Sequence, residues 1–379
     1  MNDNLLYYCL KNIYTNININ PKINVSQFNP QTQKLSSDIQ INGLYTPHHY
    51  VNKGYLTLTN LCSVNFDNLG YNVDIKIYYS HKINNIKYVI QEIISRVYTM
   101  LYLFETEKID YEIVMLLYEL PRIIPIKYIN TPNEINNVSS LGYFNCTNGY
   151  YKQEPNKKFI LITRYNDCMG LLIHELSHAT GLDIGGYSTF DEWHTYYNNH
   201  FNGKSGYFTE GINNTTASII HCMLLGIKYD VDYKKIIQQE EDYVYNECCK
   251  LISFYFKNNK KECSIKDLIN VYTQDGQMFE YNILRYIYLK YRNIFYNFKN
   301  MSDINTRQRN QIKNKIPQGF GNKIMVIYPN NLKMMNKYYT EFIKRLEEQK
   351  FNISGLKEDY ITNNKKYFSM EYFKYNFNI

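Results

Sequence analysis

One tryptophan, nine prolines and eight histidines among 379 residues leave few of the residue types that usually mark function. No apolar run approaches the roughly 20 residues that a membrane-spanning helix requires, so no membrane partner is expected. The eight cysteines, at 9, 62, 146, 168, 222, 248, 249 and 263, form no CxxC pair and are far too sparse for a disulfide scaffold. Buried reduced thiols are expected instead, Cys168 and the adjacent Cys248 and Cys249 among them. Residues 1–9 lack both the basic start and the small-residue cleavage site of a secretory signal. A soluble, intracellular, cytoplasmic protein is the expectation. Neither sign of charge dominates, since the net +7 is spread along the chain and speaks for solubility more than for a charged partner. Even the basic stretch 305–323, with Arg307, Arg309, Lys313, Lys315 and Lys323, has no aromatic residue among its charges before Phe320. It reads as a solvated connector, and no nucleic-acid partner is expected. The 41 tyrosines, with abundant Asn, Ile and Lys, read as AT-rich coding bias and carry little functional weight.

A chain of this length suggests two or three domains. Residues 1–65 are rich in Asn and turn formers, with short alternating pieces such as 55–59, and read as an irregular, strand-containing leader. His48 and His49 fall in a turn after Pro47, where adjacent histidines point apart. From 72 onward the pattern sharpens: a half-buried strand at 73–79, a helix at 87–105, and a continuous apolar strand at 111–118. A loop over 133–156 follows, then a strand at 158–165. After a glycine- and asparagine-rich stretch at 182–207 with no clear element, a helical pattern resumes at 208–225. Beyond 230 the chain is mainly helical, at about 234–256, 265–298 and 332–349. No internal repeat is evident.

The most informative stretch is Leu171-Leu172-Ile173-His174-Glu175-Leu176-Ser177-His178-Ala179-Thr180-Gly181. On a helix of 3.6 residues per turn, His174 and His178 differ by only about 40° in direction, so both imidazoles can face one ion. Glu175 follows His174 by about 100° and can reach a water at that ion. The context agrees. Asn166 or Asp167 suits the N-cap, Gly181 suits the left-handed position past a helix end, and the helix is expected over 168–180. Met169, Leu172, Ile173 and Leu176 make an apolar stripe on the side away from the two histidines. The alternative is a core helix whose histidines are satisfied by neighbours; the strand before it, the cap and the closing glycine favour the metal reading.

Two histidines need a third protein ligand. Glu210, which opens the helix at 208–225, is the first choice, and Asn214 shares its face and is placed to orient a histidine through its distal ring nitrogen. The position three past Gly181 is Ile184, and Asp183 falls one residue short of it. Asp191, His194 and His200 in the intervening loop remain alternatives. His221 lies about 16 Å farther along the helix axis than Glu210, too far to share an ion, and is expected to be a buried core histidine.

The run His174-Glu175-Leu176-Ser177-His178 resembles the zincin metallopeptidases, and Glu210-Gly211 with Asn214 on the next turn is similar to their gluzincin branch. In that branch the third ligand is a glutamate on a second helix, and the side chain four residues on, usually aspartate, holds the first histidine; Asn214 departs from that pattern. The form extending to Gly181-Leu182-Asp183 also resembles zincin-like proteins of large DNA viruses, which would place the protein in an infected cell or a virion. The resemblance covers about 72–228. It implies an α+β fold: a zincin-like catalytic domain at 66–228, with a small mixed sheet and an active-site helix, between the segment 1–65 and a helical C-terminal region at 229–379.

It also implies a zinc-dependent metallopeptidase acting on a peptide or protein substrate. His174, His178 and Glu210 would hold Zn2+, and Glu175 would act as general base and then return the proton to the leaving nitrogen. The strand at 159–164 is expected at the sheet edge, open to an extended substrate by strand addition. A transition-state donor is not readable among so many tyrosines. The rival readings are a zinc hydrolase of non-peptide amides and a non-catalytic zincin-fold protein kept for binding or assembly. An intact Glu175 argues against the latter.

Overall fold

The computed structural model describes residues 3–33, 54–68, 70–83, 85–105, 107–118, 122–123, 149–165, 168–182, 208–258, 280–295, 297–300, 324–327, 332–348 and 367–368. In chain order the elements are α1 (Asp3–Thr15), β1 (Lys22–Gln27), β2 (Asn60–Asn68), β3 (Tyr71–Tyr79), α2 (Ile86–Phe104), β4 (Asp110–Leu117), β5 (Arg122–Ile123), β6 (Gly149–Gln153), β7 (Lys157–Thr163), α3 (Cys168–Ala179), α4 (Phe208–Tyr229) and α5 (Tyr233–Asn258). A π-helical turn (Glu280–Leu284), α6 (Arg285–Lys290), α7 (Arg292–Phe295), β8 (Asn297–Asn300), β9 (Ile324–Ile327), α8 (Leu332–Glu348) and β10 (Tyr367–Phe368) follow. Mixed α and β structure was expected and is observed. Among the described residues no helix is long and apolar enough to cross a membrane.

A six-stranded mixed sheet in the order β1-β2-β3-β4-β7-β6 organises the fold. Its central strands β3, β4 and β7 run parallel, while β1, β2 and β6 pair antiparallel with their neighbours. The parallel centre explains the unbroken apolar run of β4, because both of its faces are covered. Tyr111, Ile113, Met115 and Leu117 enter the main core shared with the helices. Val114 and Leu116 enter a smaller core on the other face with Phe28, Leu58, Tyr78, Tyr118, Phe159 and Leu161. Two helices supply apolar faces to the main core: α2 buries Val89, Ile90, Ile93, Val97 and Leu101, and α3 buries Met169, Leu172, Ile173 and Leu176.

Several elements differ from expectation. The alternating piece 55–59 is not a strand; Thr57 and Leu58 close i to i+3 turns on Gly54 and Tyr55, and pairing begins at Asn60. The leader contributes an ordered helix, α1, which buries Leu6 and Leu10 in the main core, and the strands β1 and β2 extend the same sheet as β3, β4, β7 and β6. Within the expected loop 133–156 lies β6, a five-residue strand with exposed Tyr150 and Lys152. Consequently the strand leading into α3 is not the edge. β7 is interior, between β4 and β6, and buries six of its seven residues. The order is therefore strand, helix, strand, two short strands, strand, and then α3. Near the C-terminus, 280–300 forms a π-turn, two short helices and β8 instead of one helix running to 298, whereas α5 and α8 lie close to the expected 234–256 and 332–349. Residues 48, 49 and 305–323 lie outside the described set.

Candidate metal centre

The helix α3 forms as its sequence predicts and stops at a Schellman turn. Gly181 takes φ 68°, its N–H donates to the His178 carbonyl at 3.0 Å, and the Leu182 N–H donates to the Ser177 carbonyl at 2.9 Å. Only glycine adopts that conformation without a steric penalty. The expected caps Asn166 and Asp167 lie outside the described residues. The polar side of α3 is not open to solvent: His174 and Glu175 are buried, because α4 and β6 cover it.

The helix α4 is the unusual partner, since Asn213, Asn214, Thr215, Thr216 and Ser218 are all buried in it. Three of their hydroxyls are satisfied within the helix. Thr215, Thr216 and Ser218 donate to the carbonyls of Gly211, Ile212 and Asn214 at 2.7, 3.0 and 2.7 Å. Small polar residues let the two helices approach, and the apolar residues Ile212, Ile219, Ile220, Met223 and Leu224 anchor α4 in the main core.

This packing brings Glu210, in the first turn of α4, to the histidine pair. His174 Nε2 lies 3.2 Å from His178 Nε2 and 3.3 Å from Glu210 Oε2, and His178 Nε2 lies 3.5 Å from Glu210 Oε1. Ligand atoms about 2.1 Å from a tetrahedral zinc stand about 3.4 Å from one another. The His174–His178 separation and the approach of each imidazole to the Glu210 carboxylate have that spacing, the two histidines facing different oxygens of the carboxylate. With one atom taken from each residue the set lies within 4.8 Å, and its chemistry suits the ion. Burial alone would push the Glu210 carboxyl up, but the rings of His178 and His174 outweigh it and hold the carboxyl well below the usual carboxylate range. The position of Glu210 at a helix N-terminus also favours its charge. Among the described residues this is the group of three acidic, imidazole or thiol side chains whose ligand atoms, one from each, all lie within 4.8 Å of one another.

Of the predicted ligands, then, the structure brings together His174, His178 and Glu210, and sets Glu175 beside them on α3. Asp183, Ile184, Asp191, His194 and His200 lie outside the described residues. His221 is buried and apart from the cluster, as expected; burial first, then the charges of Arg96 and Arg285, hold its pKa well below the ordinary value. Cys168 and Cys248 are buried thiols outside any disulfide, and Cys249 is half-buried. A cavity of about 1090 Å³ lined by Tyr14, Tyr88, Glu92 and Lys228 touches none of the ligands. Lys228 is eighteen residues from Glu210 along α4, about 27 Å of helix axis.

Two residues at the site went unread in the sequence. Asn213, fully buried, donates from Nδ2 to the His174 carbonyl at 3.2 Å; Asn214, the neighbour expected to orient a histidine, is buried one position on. Its place three residues after Glu210 is the signal that points to Asn213. The other is Gly149 of β6, against which the Glu175 carboxylate lies. It sits in an Asn-Gly pair, a turn signal that hid the strand. No protein-family model, curated protein or solved structure matches the chain.

Proposed function

We propose that the protein is a zinc-dependent metallopeptidase of the zincin kind, in which His174, His178 and Glu210 hold the metal and Glu175 is the general base. The closeness of the two imidazoles to each other and to the Glu210 carboxylate carries this reading. Two imidazoles and one carboxylate suit zinc better than a hard cation, which would take oxygen ligands throughout. When bound, such an ion polarises a carbonyl and lowers the pKa of water. Glu175 then accepts the proton of the attacking water and hands it to the leaving nitrogen. Its burial beside the ligands, out of bulk solvent, keeps that proton within the site.

The sheet supports a peptide substrate. The strand β6 is terminal in the sheet order, with β7 on one side and no strand on the other among the described residues, and it lies beside α3. An extended peptide pairing with that free edge would run past the metal ligands, which favours peptides over small amides.

The test uses the purified full chain. Elemental analysis should return one zinc per chain, and a fluorogenic peptide library should be cleaved. Glu175→Gln should keep the zinc and abolish cleavage; unchanged turnover in that variant rejects the mechanism. Cleavage of acyl-amide probes without any peptide cleavage would move the reading to a non-peptide amidase.

A further inference from the structure

The glycine at 149 is unexpected on backbone grounds. It lies in a strand, where glycine costs conformational entropy and packs nothing. Its φ is not in the left-handed region, unlike those of Gly70 and Gly181. Nothing in the backbone there requires the absence of a side chain. Space does. A Cβ built on Gly149 would overlap the Glu175 carboxylate, meeting Oε1 and lying 2.7 Å from Cδ and 2.8 Å from Cγ. Real Cβ atoms essentially never come that close. The end of the Glu175 side chain thus occupies the place where residue 149 would carry its own.

The register makes this meaningful. Gly149 pairs with Ile162 and Tyr151 with Ile160, and both isoleucines face the main core under the helices. The side of β6 that carries Gly149 is therefore the side facing α3. Because β6 is also the terminal strand of the sheet among the described residues, one short segment carries that sheet edge and presents a bare backbone to the carboxylate.

We propose that Gly149 is a positioning residue for Glu175: by lacking a side chain it seats the carboxylate against β6, next to the metal ligands and beside the edge where a peptide would pair. This rests on the peptidase reading for its catalytic meaning, but the seat itself does not. Any side chain at 149 forces Glu175 off its rotamer and away from the water it must deprotonate. A misplacement of about 1 Å at a catalytic group costs on the order of 100-fold in rate.

Two measurements separate the seat from its use. In the first, chemical denaturation of the metal-free full chain compares wild type, Gly149→Ala, Glu175→Ala and the double variant. Glycine to alanine at an ordinary extended position stabilises a protein by restricting the unfolded chain. With Glu175 present the sign should invert, so Gly149→Ala lowers the denaturation midpoint; in the Glu175→Ala background the same change should raise it. If Gly149→Ala does not fold, the double variant should. The same effect of Gly149→Ala in both backgrounds, or two variants that both fail to fold, would overturn the seat. In the second, zinc-loaded Gly149→Ala should lose on the order of 100-fold in kcat with KM within about twofold and zinc retained; an unchanged kcat overturns the positioning role. Sign inversion in a wild-type protein that cleaves no peptide would leave the seat standing and the peptidase reading refuted.

Discussion

Asn213 Nδ2 donates to the carbonyl oxygen of His174 across 3.2 Å, so the turn of α4 that follows Glu210 is fastened to the turn of α3 that carries the first histidine. That carbonyl keeps its place in the helix and gives its second lone pair to the neighbour. The link sets the distance between two helices whose donors must stand a few ångströms apart.

Replacing Asn213 by Ala should loosen this distance. Partners that hold a ligating side chain directly contribute about 10- to 100-fold in metal affinity. Asn213 acts one step back, on the His174 backbone, and Asn213→Ala should weaken zinc binding by no more than about the lower of those factors, on the order of 10-fold, in competition with a chelating dye. The loss of one buried hydrogen bond should also cost about 1–3 kcal/mol of stability, read from denaturation of the metal-free chain. Unchanged affinity would mean that apolar packing alone holds the helices in register.

Glu210→Ala should remove stoichiometric zinc. The two imidazoles that remain bind too weakly to survive desalting, because a catalytic site needs three protein ligands. Elemental analysis of the wild type and variant side by side decides the matter. Zinc retained by the variant would shift the third ligand to Asp191, His194 or His200.

The part of this site written in local periodicity was legible in the chain. A single turn sets His174 against His178, and the apolar stripe of Met169, Leu172, Ile173 and Leu176 states which side packs. Glu210 was legible for a similar reason, as an acidic residue opening a periodic helix. What depended on contacts distant in sequence was not legible. β6 has only five residues, three of them polar or glycine, and it exists because β7 offers a partner; pairing energy, not propensity, makes it a strand. Its concealment moved the expected sheet edge one strand inward, onto β7. α1 shows the same limit, since its burial of Leu6 and Leu10 is fixed by the α2 and α4 surfaces it meets, which lie far from it in sequence.

His221 should make the protein acid-sensitive. It is buried, and burial, then Arg96 and Arg285, keep it neutral in the folded state well below its ordinary value of 6.5. In the unfolded chain it takes up a proton as the pH falls through 6.5, which the folded protein refuses. Stability is therefore full above 6.5 and declines on acidification, by at most about 1.4 kcal/mol per pH unit from this group. The comparison of wild type with His221→Gln across pH 4 to 8 isolates it, since the two should differ in slope only below 6.5. Parallel stability curves would show that His221 takes up its proton as readily in the folded chain as in the unfolded one.

The strand that leads into the metal helix begins with a buried charge, and its removal tests how firmly α3 is mounted. Lys158 of β7 lies 2.9 Å from Glu105, and both are almost fully buried; Tyr111 also donates to Glu105, and Glu107 lies 3.0 Å from Lys158. A buried pair contributes little over an apolar replacement, yet breaking one partner costs about 3–5 kcal/mol, because the other charge is left unpaired. Lys158→Met should therefore be strongly destabilising, whereas Lys158→Met with Glu105→Gln should recover most of the loss. Because β4 and β7 pair from Asp110 and Lys157 onward, the weakened pair frays the foot of β7, while the end that delivers the chain to Cys168 stays held by Ile160 and Ile162 in the main core. Zinc affinity of the folded Lys158→Met protein should then equal that of the wild type, and a parallel loss of affinity and stability would show that the metal centre and the foot of the sheet move as one unit.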